Sequence, residues 1–178
     1  MNSNLFKKIG LVLLAVLFLL QFVQPAKNIG SAKGPNDIAH AMLVPDGVQQ
    51  ILEKSCYDCH SNNTVYPWYS SIQPLGFWLK DHVDEGKSEL NFSEFNTYTA
   101  KRKAKKMKEI LEQLEENEMP LFSYTVIHRD ADLNEAQKAS LLEWAKANQL
   151  PSKLANDSSA VTNEAAATEY SGELHEEH

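Results

Sequence analysis

The longest apolar stretch lies near the start of the chain. Ile9 to Val23 is nearly unbroken hydrophobic sequence, preceded by Lys7 and Lys8. A short basic flank before such a run is the pattern of an export segment, cleaved or kept as an anchor, and residues 1–25 are assigned to it. The 15 residues from Ile9 to Val23 cover only about 22 Å as a helix, short of the ~30 Å hydrocarbon core. Leu5, Phe6 and snorkelling lysines lengthen it. Gly30-Ser31-Ala32 offers a small-residue cleavage point, but far from the run, so a retained anchor is the preferred reading.

Beyond it the periodicity is helical. Residues 26–45 hold Gly30, Gly34, Pro35 and Pro45, which break any pattern and predict a flexible lead-in. Asp46 is a candidate N-cap, with Val48, Ile51 and Leu52 at helical spacing behind it. Tyr66-Pro67-Trp68-Tyr69 is an aromatic loop. Pro74 opens a second helix whose apolar face is Leu75, Trp78, Leu79, His82 and Val83, ending near Gly86. A third helix, from about Thr99 to Asn117, carries a stripe of Ala100, Ala104, Met107, Leu111 and Leu114, and Met119-Pro120 closes it. Asn134 with Gln137 forms the signature of a capping box for a last helix bearing Leu141, Leu142 and Ala145. No repeat and no strand alternation is present. The fold class is therefore all-α, a small helical domain over residues 46–151. Residues 152–178 are rich in Ala, Ser, Thr and Glu and predict a disordered tail, in which His175 and His178 are solvated rather than metal-binding.

The formal charge of −7 over 178 residues argues against nucleic-acid binding through bulk electrostatics. Much of that acidity sits in the tail, since residues 26–151 contain 14 Lys/Arg and 18 Asp/Glu. Six of the eight residues from Lys101 to Lys108 are basic, with an acidic stretch following. A solvated helix face is the simpler reading, and a docking patch for an acidic redox partner the alternative.

Chemistry centres on the two cysteines, Cys56 and Cys59, followed at once by His60. Two cysteines do not make a disulfide scaffold or a four-thiolate zinc site. Cys56-Tyr57-Asp58-Cys59-His60 is the attachment pattern of c-type haem. The two thiols add across two vinyl groups of the porphyrin, and the adjacent histidine supplies a nitrogen to the iron. The export segment is independent support, because c-type haem is attached on the outer side of the membrane. A C-x-x-C redox dithiol expects a thioredoxin-like context, zinc lacks a fourth ligand, and a Cys56–Cys59 disulfide closes too small a loop to add much.

The chain also resembles a known family, the single-haem c-type haem-binding domain proteins of bacteria. The residues that carry the resemblance are Cys56 to Asn62, Tyr66-Pro67-Trp68-Tyr69, Trp78, His82-Val83, Gly86 and Leu90-Asn91-Phe92-Ser93. Met119-Pro120, Tyr124, His128 and Trp144 complete the set, which covers about residues 45–150. The resemblance implies a cytochrome-c-like helical fold with one covalent haem, in a family sometimes fused to di-haem peroxidase-type domains. One departure is visible: Leu121 stands where such proteins often carry a second proline.

One histidine leaves the sixth iron position to be filled. Met119, 59 residues after His60 and stiffened by Pro120, is the leading candidate. His82, on the apolar face of the second helix, is its rival; His128 and His40 follow, and Met107 reads as packing. Trp68, Trp78 and the tyrosines near them read as pocket core. The functional expectation is an exported, periplasmic single-electron carrier, tethered to the inner membrane and working with a redox partner protein. A haem enzyme of peroxidase type and a haem-based sensor are the alternatives.

Overall fold

The computed structural model describes residues 3–149. The tail read as disordered lies outside the described residues. Among these, helices and short 3-10 turns account for all regular structure, apart from one isolated antiparallel bridge between Ile29 and Asn63. The all-α expectation holds.

The chain divides into two compact units, Met1–Thr97 and Tyr98–His178. In the first, α1 runs from Ser3 to Leu20 with its apolar side chains exposed. No helix among the described residues is long and apolar enough to cross a membrane. A short helix, α2 (Ile38–Ala41), follows, capped by the Asp37 side chain on the Ala39 N–H. Next come α3 (Asp46–Ser55) and the single turn α4 (Tyr57–His60), which holds most of the cysteine motif. The aromatic loop coils into a 3-10 turn over Trp68–Ser71 before α5 (Leu75–Glu89). A second 3-10 turn, Phe92–Thr97, closes the unit.

Sequence predicts that α5 ends near Gly86, yet it continues to Glu89. A terminating glycine takes the left-handed conformation, and among the described residues no glycine has positive φ. Gly86 serves close approach instead. A Cβ at this position lies 2.9 Å from the Cys59 carbonyl oxygen and 3.2 Å from Cys59 Cβ, so only glycine lets α5 rest against α4. Leu79 and Val83 bury on the same side of α5 with Tyr69, and Cys59 and Tyr66 pack against them.

The segment read as a flexible lead-in makes specific bonds to the loop that follows the cysteine motif. The Gly30 N–H donates to the Asn62 carbonyl at 2.7 Å, and the Thr64 N–H to the Asn28 carbonyl at 2.9 Å.

The second unit contains α6 (Ala100–Glu115), α7 (Phe122–Thr125) and α8 (Glu135–Ala147). Thr99 caps α6 through the Arg102 N–H, and Asn117, at φ 58°, turns the chain out of it, a conformation asparagine tolerates. Helices α6 and α8 pack together, burying Met107 and Leu114 on one and Leu141, Trp144 and Ala145 on the other. The expected capping box is present, with Asn134 and Gln137 each bonding the other's backbone. Charges along α6 pair internally: Glu109 accepts from Lys105 and Lys106, and Glu112 from Lys108. Lys106 is itself buried, so the basic run is not wholly a solvated face.

Candidate functional site

The C-terminal residue of α3 leads straight into the motif, and Cys56 sits at the junction with α4. One helical turn brings Cys59 and His60 back over it, their N–H groups donating to the Cys56 carbonyl at 3.2 and 2.9 Å. Three chemically distinct side chains are thereby gathered on one turn. Both cysteines are free thiols. Burial, then the neighbouring Cys59, pushes Cys56 up to about 12, while burial, then Asp58, pushes Cys59 to about 11. Redox dithiols and zinc sites use thiolates, and these two thiols hold their protons at neutral pH. Among the described residues no group of three His, Cys, Asp or Glu side chains is arranged to hold a metal ion.

His60 is oriented by backbone. Its Nδ1 lies 2.9 Å from the Gly86 carbonyl and 3.0 Å from that of Leu90. Both partners are acceptors only, so Nδ1 carries the proton and Nε2 is the nitrogen able to bind a metal. An N–H···O=C bond of this kind fixes tautomer and ring direction in histidine-ligated metal sites. Phe92 flanks the ring edge-on, with centroids 6.2 Å apart, and stacks on Tyr57 at 5.2 Å.

A polar network behind the histidine holds those carbonyls in place. Asn91 Nδ2 donates to Asn62 Oδ1 at 2.8 Å, the Ser93 N–H to Asn91 Oδ1 at 3.0 Å, and the Asn62 N–H to Ser93 Oγ at 3.0 Å. Beneath the motif, Tyr57 donates its hydroxyl to Asp37 at 2.9 Å. Val65 and Thr64 fold back onto Asp58 through its side chain and carbonyl respectively.

The remaining candidates are placed as follows. Met119 is half-buried in the second unit, where its N–H donates to the Gln113 carbonyl at 3.4 Å, and its bond to Pro120 is cis. The structure thus brings together Cys56, Cys59 and His60 and sets Met119 in the other unit. His82 is half-buried, its ring tilted against Trp78 at 4.3 Å and its Nδ1 donating to the Trp78 carbonyl one turn back. His128 stacks on Tyr124 at 4.4 Å. His40 is exposed in α2, and Met107 is fully buried as packing. Trp68 and Trp78, expected as pocket core, are 81% and 41% exposed; Tyr66 and Tyr69 are the aromatics packed at Cys59.

The family model for a haem-binding domain matches residues 15–147. The chain belongs to the haem-binding domain family. The match begins inside α1 and runs through both units to the end of α8. No curated protein and no solved structure matches the chain. Among the haem-binding domain's residues, the motif turn fits the cofactor on its own chemistry. Two unpaired thiols stand one helical turn apart, and the next residue is a histidine whose Nδ1 proton is already committed. Haem, when bound, supplies a one-electron iron centre. Cys56 and Cys59 would hold its edge and His60 would ligate its metal.

Gly86 and the carbonyl of Leu90 are functional positions that sequence reasoning did not assign to the site. Backbone acceptors carry no side-chain signal. Their only mark was the family resemblance, which includes Gly86 and the Leu90-Asn91-Phe92-Ser93 run.

Proposed function

We propose that this haem-binding domain is an exported single-electron carrier with one c-type haem. The haem is bound covalently through Cys56 and Cys59 and ligated by His60 and Met119. The observation that carries the reading is the His60 ring. Its Nδ1 proton is committed to the Gly86 and Leu90 carbonyls within a two-cysteine turn, which directs Nε2 to a metal. Met119 is favoured over His82 because it follows the close of a long helix and is stiffened by Pro120, whereas His82 sits on α5, the helix whose Gly86 carbonyl already orients His60. Thioether ligation closes the site and raises the reduction potential, as suits electron transfer with a partner protein. Lys7 and Lys8 before the apolar helix support a periplasmic location.

The test is spectroscopic. Full-length protein made with a haem-ligation pathway keeps its haem through acid–organic extraction and gives a c-type pyridine spectrum; extractable haem overturns covalent attachment. Ferric protein shows the near-red sulfur–iron band, and Met119→Ala erases it and opens the ferrous iron to carbon monoxide. Loss of closure in His82→Ala with Met119→Ala unaffected assigns the sixth position to histidine instead. Wild-type protein that is high-spin and turns over peroxide is an enzyme, not a carrier.

A further inference from the structure

Residues 21–32 follow the apolar helix and contain the small-residue cleavage point Gly30-Ser31-Ala32. A signal peptide removed there leaves a domain that folds without it. In the structure this segment is instead bonded into the domain. Gln21 and Gln73 bond reciprocally: Gln21 Nε2 donates to the Gln73 carbonyl at 3.1 Å, and the Gln73 N–H to Gln21 Oε1 at 2.9 Å. Gln24 repeats the arrangement, donating to the Ser71 carbonyl at 3.1 Å and accepting from Gln73 Nε2 at 3.2 Å.

Asn28 is bound more deeply. Its N–H donates to the Tyr66 hydroxyl at 2.7 Å, and its amide nitrogen to the Ser61 carbonyl and Thr64 Oγ1. Its amide oxygen accepts from Lys87 Nζ at 2.6 Å. Ala32, the last residue of the small-residue triplet, accepts from Ser93 Oγ at 2.6 Å. Cleavage after Ala32 removes partners of Ser61, Asn62, Thr64, Tyr66, Gln73 and Lys87, around the motif turn and α5.

We infer that the N-terminal helix is retained, and that the Gln21–Gln24 clasp on Ser71 and Gln73 seats the haem domain directly on a lipid surface. Beyond Lys7 and Lys8, from Ile9 to Leu20, α1 is apolar on every side, as a helix immersed in lipid is. Its 18 residues make about 27 Å. A helix shorter than the hydrocarbon layer draws its polar end down to headgroup depth. The loop clasped to that end is drawn down with it. Ile72, flanked by the two clasped residues, is 42% exposed, an apolar side chain where headgroups meet acyl chains. Continuity with the family match, which already includes the last third of α1, agrees. The inference rests on the exported reading above for the side of the membrane only.

The experiment uses full-length protein with its native N-terminus, exported and haem-loaded, purified from membranes. Intact mass shows residues before Lys33 still present. Product starting at Lys33 that carries covalent haem overturns the inference and leaves the carrier reading standing. Retained helix without haem does the reverse. The clasp is read in nanodiscs of 3:1 phosphatidylethanolamine and phosphatidylglycerol containing a headgroup-dansyl lipid, whose emission haem quenches by energy transfer. Wild type quenches strongly, and Gln21→Ala/Gln24→Ala weakens quenching and speeds tryptic cutting after Lys27 several-fold. Equal quenching and equal cutting in both proteins overturn the clasp. Gln21→Asn/Gln24→Asn, which keeps amides but shortens their reach, is the second variant should the first lose its haem spectrum, and the same two readings decide.

Discussion

Gly86→Ala isolates the contact on which the site depends. The added Cβ falls 2.9 Å from the Cys59 carbonyl oxygen and 3.3 Å from its carbon. Both are backbone atoms of the motif turn, so no side chain can swing away and α5 itself has to move. Overpacking of this kind costs about 1–3 kcal/mol. Against it stands the better helix propensity of alanine, up to ~1 kcal/mol. The net expectation is a loss of about 1–2 kcal/mol, a sizeable part of a typical ~5–15 kcal/mol stability. Gly47→Ala in α3 is the internal control. A Cβ there meets nothing within 4 Å, so propensity acts alone and the variant is neutral or up to ~1 kcal/mol more stable. Urea unfolding of haem-loaded protein measures both, from midpoints at unchanged m. Gly86→Ala equal to or more stable than wild type refutes the close approach of α5 to Cys59, and with it the account of how the Gly86 carbonyl reaches His60.

Two other outcomes follow from the same contacts. Tyr57→Phe leaves the Asp37 carboxylate, 2% exposed, without the hydroxyl it accepts from, at a cost of about 1–3 kcal/mol in the same unfolding assay. The Tyr57 hydroxyl titrates above its ordinary range, through burial first and Asp37 in addition. Above about pH 10 the unfolded chain therefore releases a proton that the folded chain keeps. Wild-type stability falls there, by up to ~1.4 kcal/mol per pH unit, and Tyr57→Phe flattens that limb; parallel alkaline limbs refute the assignment. Asn134→Ala removes one half of the capping box on α8 and costs ~1 kcal/mol; an unchanged thermal midpoint refutes the cap's contribution.

Helices with strong local signals were legible. Thr99, Asn134 and Gln137 announce their caps by residue type, and Met107 and Leu114 their burial by spacing. What periodicity misjudged are positions set by tertiary contact. Gly86 looks like a stop signal, because a sequence does not reveal that the facing surface is the Cys59 backbone. Trp78 and His82 share the apolar stripe of α5 with Leu79 and Val83, yet Trp78 is exposed and His82 only half-buried. Asn28 lies among residues whose glycines and prolines suggest slack chain, while its bonds reach partners 33 to 59 positions away. The motif itself was readable because covalent chemistry demands fixed residue types at fixed spacing. Its support, made of two main-chain carbonyls and the amides that hold them, demands only a backbone path.

The carbonyls that receive the His60 proton also give the ring an electrical neighbour. Gly86 lies in the last turn of the 15-residue α5, and the C-terminal end of a helix carries the negative pole of its macrodipole. Positive charge on a ring facing that pole is favoured by ~0.3–1 kcal/mol. For a one-electron couple this equals roughly 15–40 mV in favour of the more positive, oxidised form. With haem ligated by His60 as proposed, the helix that holds the histidine still would also pull the midpoint downward, against the upward pull of the proposed thioether. The working voltage of the domain is set in part by where α5 happens to end.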